Sequence, residues 1–111
     1  MLTQEVRKMV GITKPVAKAR LGNVPEEKRF WCNDGVYLSN LEELKTALEG
    51  MTDETFLVHS NETKSDFSIW VGEVIGDDKL AADLARSATR LWAAKSIGDR
   101  IKFLKSKAGT A

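Results

Sequence analysis

This chain of 111 residues contains few of the groups on which cross-links, metal sites and membrane spans depend. Cys32 is its only cysteine, so an internal disulfide is excluded, which agrees with a reducing compartment. With one cysteine and one histidine, one chain cannot assemble a zinc site of the usual composition. Apolar runs are short and interrupted, as in residues 55–58 and 68–71, so we expect no membrane span.

Sequence motifs for targeting and for catalysis are also missing. The first seven residues lack the basic-then-apolar order of a signal peptide, so we expect a cytoplasmic protein with no membrane partner. No glycine-rich phosphate loop occurs, and neither Gly-x-Ser-x-Gly nor Ser-x-x-Lys is present. The acidic residues match no calcium-binding loop. We therefore expect a non-enzymatic protein without a metal or other cofactor.

The charges, in contrast, are abundant and sorted along the chain. Residues 1–30 hold seven Lys/Arg against three Asp/Glu, residues 31–85 hold three against twelve, and residues 86–111 hold seven against one. The net charges of these segments are thus +4, −9 and +6, although the whole chain carries only +1. An acidic centre between basic ends can close on itself or present opposite faces to different partners.

The basic ends suggest a nucleic-acid-binding surface as one hypothesis. Basic residues on a C-terminal helix, joined by those of the N-terminal arm, could follow a phosphate backbone. The candidate binding residues are Arg86, Arg90, Lys95, Arg100, Lys102 and Lys105. The competing interpretation, which the near-zero net charge favours, is that the basic ends fold against the acidic middle or remain solvated.

The residue pattern predicts a small α+β domain that is mostly α-helical. Asn33-Asp34-Gly35 between two β-prone segments predicts a β-hairpin, which needs helices packed on its apolar face. Four to five helices follow, with starts at Ser39, Thr52, Ser65 or Asp66, and Asp77 or Asp78, and a bend or break near residues 96–99. The predicted divisions are a partly ordered basic arm (1–20), a core domain (21–95) and a basic C-terminal helix with a frayed end (96–111).

One polar cluster has the residue types for acid–base chemistry. His59, Asn61 and Asp66 are close in sequence, and a His59–Asp66 contact would orient the imidazole as a proton acceptor. The alternative is structural, because a His that ends one helix and an Asp that begins the next can satisfy backbone groups of the loop. We favour the structural role.

The aromatic residues are expected to form the core, with two exceptions. Phe56, Phe67 and Trp70 occur at core-facing helical spacing. Trp31 and Trp92 fit that pattern less well, and either becomes an interface candidate if it is exposed.

Several motifs are shared with a known family over residues 21–84. They are Leu21-Gly22-Asn23-Val24-Pro25-Glu26-Glu27-Lys28-Arg29-Phe30-Trp31, Asp34-Gly35, Leu41-Glu42-Glu43-Leu44, Met51, Glu54-Thr55-Phe56, His59-x-Asn61, Asp66-Phe67-x-x-Trp70-Val71 and Gly76-Asp77-x-x-Leu80-Ala81. In these the chain resembles a prokaryotic, largely archaeal, domain family of unknown function. Ser65 stands where members often carry Asn, which preserves a helix cap. The resemblance implies one cytoplasmic archaeal domain and supplies no activity.

Three function classes follow, in order of preference. The first is a non-enzymatic interaction or scaffold module that binds a protein partner or a second copy of itself. The second is a nucleic-acid-binding protein that uses the basic ends. The third is a small enzyme built around His59 and Asp66.

Overall fold

The computed structural model describes residues 12–109, so residues 1–11 of the predicted basic arm (1–20) lie outside the described residues. The helices are α1 (Lys14–Leu21), α2 (Leu41–Gly50), α3 (Asp53–His59), α4 (Asp66–Trp70), α5 (Asp78–Arg86) and α6 (Arg90–Ala108), with a 3₁₀ turn at Glu26–Lys28 and a π-helical turn at Val71–Ile75. The strands are β1 (Phe30–Trp31), β2 (Tyr37–Leu38), β3 (Ser60–Asn61) and β4 (Lys64–Ser65). The predicted α+β, mostly α, class is confirmed; the described residues form six α-helices rather than four to five.

Two short antiparallel hairpins interrupt the helices. The predicted hairpin pairs Phe30 with Leu38 and Trp31 with Tyr37. Gly35 lies in its turn with φ +92°, a conformation that residues with a Cβ rarely adopt. The second hairpin, β3–β4, was not predicted, because its two-residue strands are polar and show no apolar alternation.

Helix starts follow the predicted caps, with one shift of register. The side chains of Thr52, Ser65 and Asp77 each accept a hydrogen bond from a backbone N–H in the first turn of the helix that follows. The prediction that Ser39 caps α2 is wrong, because Asn40 accepts from the N–H of Glu43. The Glu43 carboxylate accepts in return from the N–H of Ser39, so a reciprocal cap forms one residue later than expected.

The expected break near residues 96–99 is also wrong. Helix α5 ends at Arg86, and α6 begins after Thr89, whose side chain accepts from the N–H of Trp92. The predicted boundary between residues 95 and 96 therefore falls inside α6. Gly98 lies within the helix on the side that faces α2, where an added Cβ would lie 3.0 Å from Cε of Lys45.

Helix α6 organises the core by packing along both α1 and α2. Its apolar residues recur every three or four positions, and Ile97, Ile101 and Leu104 are at most 4% exposed. Each such side chain contributes about 1.5–3 kcal/mol through burial. Among residues 12–109, no helix combines the length and apolar character needed for a membrane crossing.

Candidate functional site

Asp77 connects the acidic centre of the chain to both basic ends. As the N-cap of α5, it accepts a hydrogen bond at Oδ1 from the N–H of Leu80 (2.9 Å). At Oδ2 it accepts a hydrogen bond of 2.8 Å from Nε of Arg100 in α6, and Nη1 of Arg20 in α1 lies 3.4 Å away. The Asp77 side chain is 0% exposed, so two helices of opposite chain ends meet on one buried carboxylate.

The ion pairs keep Asp77 charged despite its burial. Burial opposes ionisation, but the hydrogen bonds from Arg100 and from the N–H of Leu80, together with the charges of Arg100 and Arg20, hold the pKa of Asp77 below its ordinary value. The Arg100 side chain is only 11% exposed. Arg100, a candidate phosphate contact in the sequence, is thus committed to the interior.

Arg90, another candidate binding residue, is committed in the same way. Its guanidinium donates to the carbonyl oxygens of Leu48 and Glu49, both at 2.9 Å, and to Oδ1 of Asp53 at 3.2 Å. Carbonyls at the end of a helix lack intrahelical partners, so a cation there is favourable. Arg90 therefore ties the start of α6 to the end of α2.

The remaining candidate basic residues lie on a surface of mixed charge. Three of them pair with acidic neighbours: Arg86 with Asp83 (2.7 Å), Lys95 with Asp99 (2.9 Å) and Lys105 with Glu42 (3.2 Å). Lys102 is exposed and lies with Lys45, Lys95, Lys105, Glu42 and Asp99 around a depression between α2 and α6. The structure does not gather the six candidates into one uniformly basic face.

His59 is buried, and both of its ring nitrogens are hydrogen-bonded. Nε2 accepts from the backbone N–H of Asn33 at 2.9 Å, and Nδ1 lies 3.0 Å from Oδ2 of Asp66. Because Nε2 is an acceptor, Nδ1 carries the hydrogen and donates it to Asp66. The ring also packs against Phe30 and Phe67 and is 5% exposed.

This geometry gives the polar cluster a structural role. The Nε2 lone pair that a general base would use already binds the hairpin turn. Asn61 donates to the carbonyl of Leu57 at 2.9 Å and accepts from the N–H and hydroxyl of Thr63, which closes the β3–β4 turn. Asp66 also pairs with Lys64 at 3.3 Å.

The outward side of the first hairpin presents a different kind of surface. Trp31 and Tyr37, paired across the strands, are 51% and 54% exposed. The guanidinium of Arg29 lies 4.7 Å from the centre of the Tyr37 ring. We call Arg29, Trp31 and Tyr37 the hairpin face.

Buried contacts hold the hairpin face in place. Phe30, the inward neighbour of Trp31, packs against Phe67 and Trp70 with ring centres 5.1 and 5.8 Å away. The indole N–H of Trp70 donates to the carbonyl of Lys28 at 2.8 Å, which fixes the chain just before β1. Buried contacts therefore anchor the strand that carries Trp31.

An acidic groove of about 500 Å³ adjoins the hairpin face and runs between β2 and α2. Tyr37 belongs to both surfaces. The groove is lined by Asp34, Val36, Tyr37, Leu38, Glu42, Glu43, Thr46, Ala47, Gly50 and Met51. Three of these residues are acidic and none is basic.

Two of the groove carboxylates are not neutralised by any residue that the structure describes. Oδ1 of Asp34 accepts from the N–H of Val36, and Oε1 of Glu43 accepts from the N–H of Ser39. Within residues 12–109, neither carboxylate forms an ion pair, whereas Glu42 pairs with Lys105. The groove is therefore apolar at its floor and negative at its rim.

A second exposed apolar region lies on α3 and the first turn of α6. Leu57 and Leu91, 54% and 60% exposed, line one depression together with Phe56 and Arg90. Trp92 is 51% exposed. In this region Arg90 pairs with Asp53 at 3.2 Å.

The sequence alone predicted only part of these exposed surfaces. Trp31 and Trp92 are interface candidates from the sequence if they are exposed, and each is 51% exposed. Tyr37 and the groove residues Val36 and Met51 were missed. Alternation along β2 could have indicated Tyr37, because a buried Leu38 places its neighbour on the opposite face.

Neither a metal-binding cluster among the described residues nor similarity to known proteins assigns a function to the chain. Among the described residues, no group of three or more His, Cys, Asp or Glu side chains is arranged to hold a metal ion. Cys32 is buried in the core, and burial raises the pKa of its thiol. Comparisons of the chain with protein-family models, with curated proteins and with solved structures find no match.

Proposed function

We propose that this protein is a protein-interaction module that binds its partner through the hairpin face and the acidic groove. The observation that carries the proposal is the exposed Trp31–Tyr37 pair beside an apolar groove that Tyr37 also lines. Tryptophan, tyrosine and arginine are the residues most enriched where interfaces gain their binding energy. All three types occur together on the hairpin face.

The buried contacts that anchor this surface also support the proposal. Binding costs less when the contacting side chains are already ordered in the free protein. Arg29 stacks on Tyr37, while Phe30 and Trp70 fix the strand that carries Trp31. These contacts therefore reduce the loss of conformational entropy that binding at the hairpin face requires.

The two other function classes have less support. Nucleic-acid binding would use Arg90 and Arg100, which instead hold helices together. An enzyme built around His59 would need a free ring nitrogen, and both nitrogens already have partners. The partner is thus sought among proteins, a second copy of this chain included.

Site-specific photo-crosslinking in cells of the native organism tests the proposal. A photoreactive amino acid replaces Val36, which is 48% exposed in the groove, and the matched control replaces Val16, which is 39% exposed on α1. We expect a protein adduct from position 36 that is absent from position 16 and disappears when Trp31→Ala and Tyr37→Ala are added.

The purified partner then provides a quantitative measurement. Its affinity is expected to fall at least about tenfold for Tyr37→Ala, as at interface positions of high energetic weight. An adduct between two copies of this chain would identify the partner as the protein itself. Equal adducts from positions 36 and 16, or none from position 36, would overturn the proposal.

A further inference from the structure

We infer that the partner presents to the acidic groove a segment with a large apolar side chain flanked by lysine or arginine. This inference rests on the proposed function and adds the chemistry of the partner. It follows from the shape of the groove floor, the charge of its rim and the state of the rim carboxylates.

The floor of the groove has room for a large apolar side chain. Leu38 and Met51 are buried at its base, and Val36 and Ala47 form its sides. At Gly50, the last residue of α2, an added Cβ would meet no atom within 4 Å. The space above the end of the helix is therefore open, and filling it would bury apolar surface on both partners.

The negative charge of the groove rim favours a lysine or arginine side chain of the partner. Asp34, Glu42 and Glu43 surround the floor, and its lining within the described part of the chain includes no lysine or arginine. A docked segment that covered Asp34 and Glu43 without supplying a positive charge would strip water from two carboxylates that lack an ion pair among the described residues. A lysine or arginine beside the apolar anchor removes that cost, whereas an acidic segment or a phosphate backbone is repelled.

Two variants, one with a single and one with a double substitution, separate the apolar and the charged contributions. Gly50→Trp fills the groove, and it fits the fold because Gly50 is helical with open space around its Cβ position. Asp34→Asn with Glu43→Gln removes both charges, while the amide oxygens still accept from the N–H groups of Val36 and Ser39. Glu62→Gln with Asp78→Asn is the matched control, because these exposed residues lie outside the groove.

Selection from a random 12-residue peptide library displayed on phage, with the purified protein as bait, tests the inference. We expect the enriched peptides to carry a Trp, Phe, Leu or Ile with at least two Lys or Arg nearby. Their affinity should fall about tenfold or more for Gly50→Trp and for the charge-removing pair, and stay within about twofold for the control pair. The salt dependence of binding should weaken in the charge-removing pair.

The outcomes distinguish this inference from the proposed function. Groove-dependent peptides that are neutral or acidic would overturn the basic–apolar assignment and leave the interaction module intact. Peptides that bind Gly50→Trp and Tyr37→Ala as tightly as the unaltered protein would overturn both. A selection that enriches no peptide would count against both as well. Thermal unfolding of each variant, expected near that of the unaltered protein, shows that a loss of binding is not a loss of fold.

Discussion

Oδ2 of Asp77 lies 2.8 Å from Nε of Arg100, and this pair is buried where α5 meets α6. The contact joins the acidic centre to a basic end of a chain whose charges are strongly sorted along its length. Its acidic centre and basic ends neutralise one another inside the fold, with Arg20 completing the junction. In the acidic groove, Asp34 and Glu43 form no ion pair with the described residues 12–109, which supports the proposal that a partner binds there.

Removing the Asp77 carboxylate is expected to destabilise the protein strongly. Asp77→Ala leaves Arg20 and Arg100 without their buried counterion and should lower the free energy of unfolding by about 3–5 kcal/mol. Asp77→Asn should cost less, because the amide oxygen still caps α5. Urea unfolding followed by tryptophan fluorescence measures both changes. Asp99→Ala is the control, since the Lys95–Asp99 pair is exposed, and a midpoint as low as that of Asp77→Ala would contradict the assignment.

The Asp77 carboxylate should also make the free energy of unfolding depend on pH. The pKa of Asp77 is lower in the folded protein than in the unfolded chain, so below about pH 5 the unfolded chain binds more protons. The stabilisation by Asp77 is therefore complete above that pH and is lost as the pH falls through the folded pKa. Unfolding free energies measured from pH 7 to pH 3 should decline less steeply for Asp77→Asn. Parallel curves for the two proteins would show that Asp77 is not the group responsible.

His59 is expected to show one fixed tautomer, with the hydrogen on Nδ1. The N–H of Asn33 occupies Nε2, and Asp66 accepts from Nδ1. Long-range ¹H–¹⁵N correlation spectra at pH 8 identify the protonated nitrogen directly, and a hydrogen on Nε2 would refute this arrangement. His59→Ala should lower the free energy of unfolding by about 2–3 kcal/mol, because it leaves a backbone donor unpaired and opens the aromatic cluster.

Binding to nucleic acid is expected to be weak and only slightly dependent on salt. Six phosphate contacts by the basic ends would give a slope of about −5 in log affinity against log salt concentration, but Arg90 and Arg100 serve internal contacts. Because Arg86, Lys95 and Lys105 also pair with acidic neighbours, we expect no more than about two phosphate contacts and a slope no steeper than about −2. Fluorescence anisotropy with a labelled duplex at 50 and 200 mM salt measures it. A slope near −5 would restore the nucleic-acid hypothesis.

Local signals in the sequence predicted the first hairpin and several helix starts better than they predicted the position of the break between α5 and α6. Asn33-Asp34-Gly35 marked the hairpin, and Thr52, Ser65 and Asp77 marked helix starts, because caps and turns depend on neighbours in sequence. The helix break was misplaced, because α6 continues through Gly98, which packs beside Lys45 of α2, and the break lies where Thr89 caps a new helix after Ser87. Such tertiary contacts leave no periodic signal.

The candidate site was harder to predict for a similar reason. The basic ends stood out by composition, yet only the fold shows that Arg100 and Arg20 share Asp77, residues separated by 23 and 57 positions. The acidic groove joins the turn at Asp34 to the end of α2 at Gly50 and Met51, which no motif connects. Long-range packing alone creates both features.

The central claim is that partners bind at the hairpin face and the acidic groove, and mapping of amide chemical shifts tests it most directly. The ¹⁵N-labelled protein is titrated with a peptide enriched in the display selection, and each backbone amide is followed. The account predicts that the largest shifts fall in residues 29–38 and 42–51, with small changes in residues 95–107. Largest shifts along the basic side of α6, with an unperturbed hairpin, would contradict it.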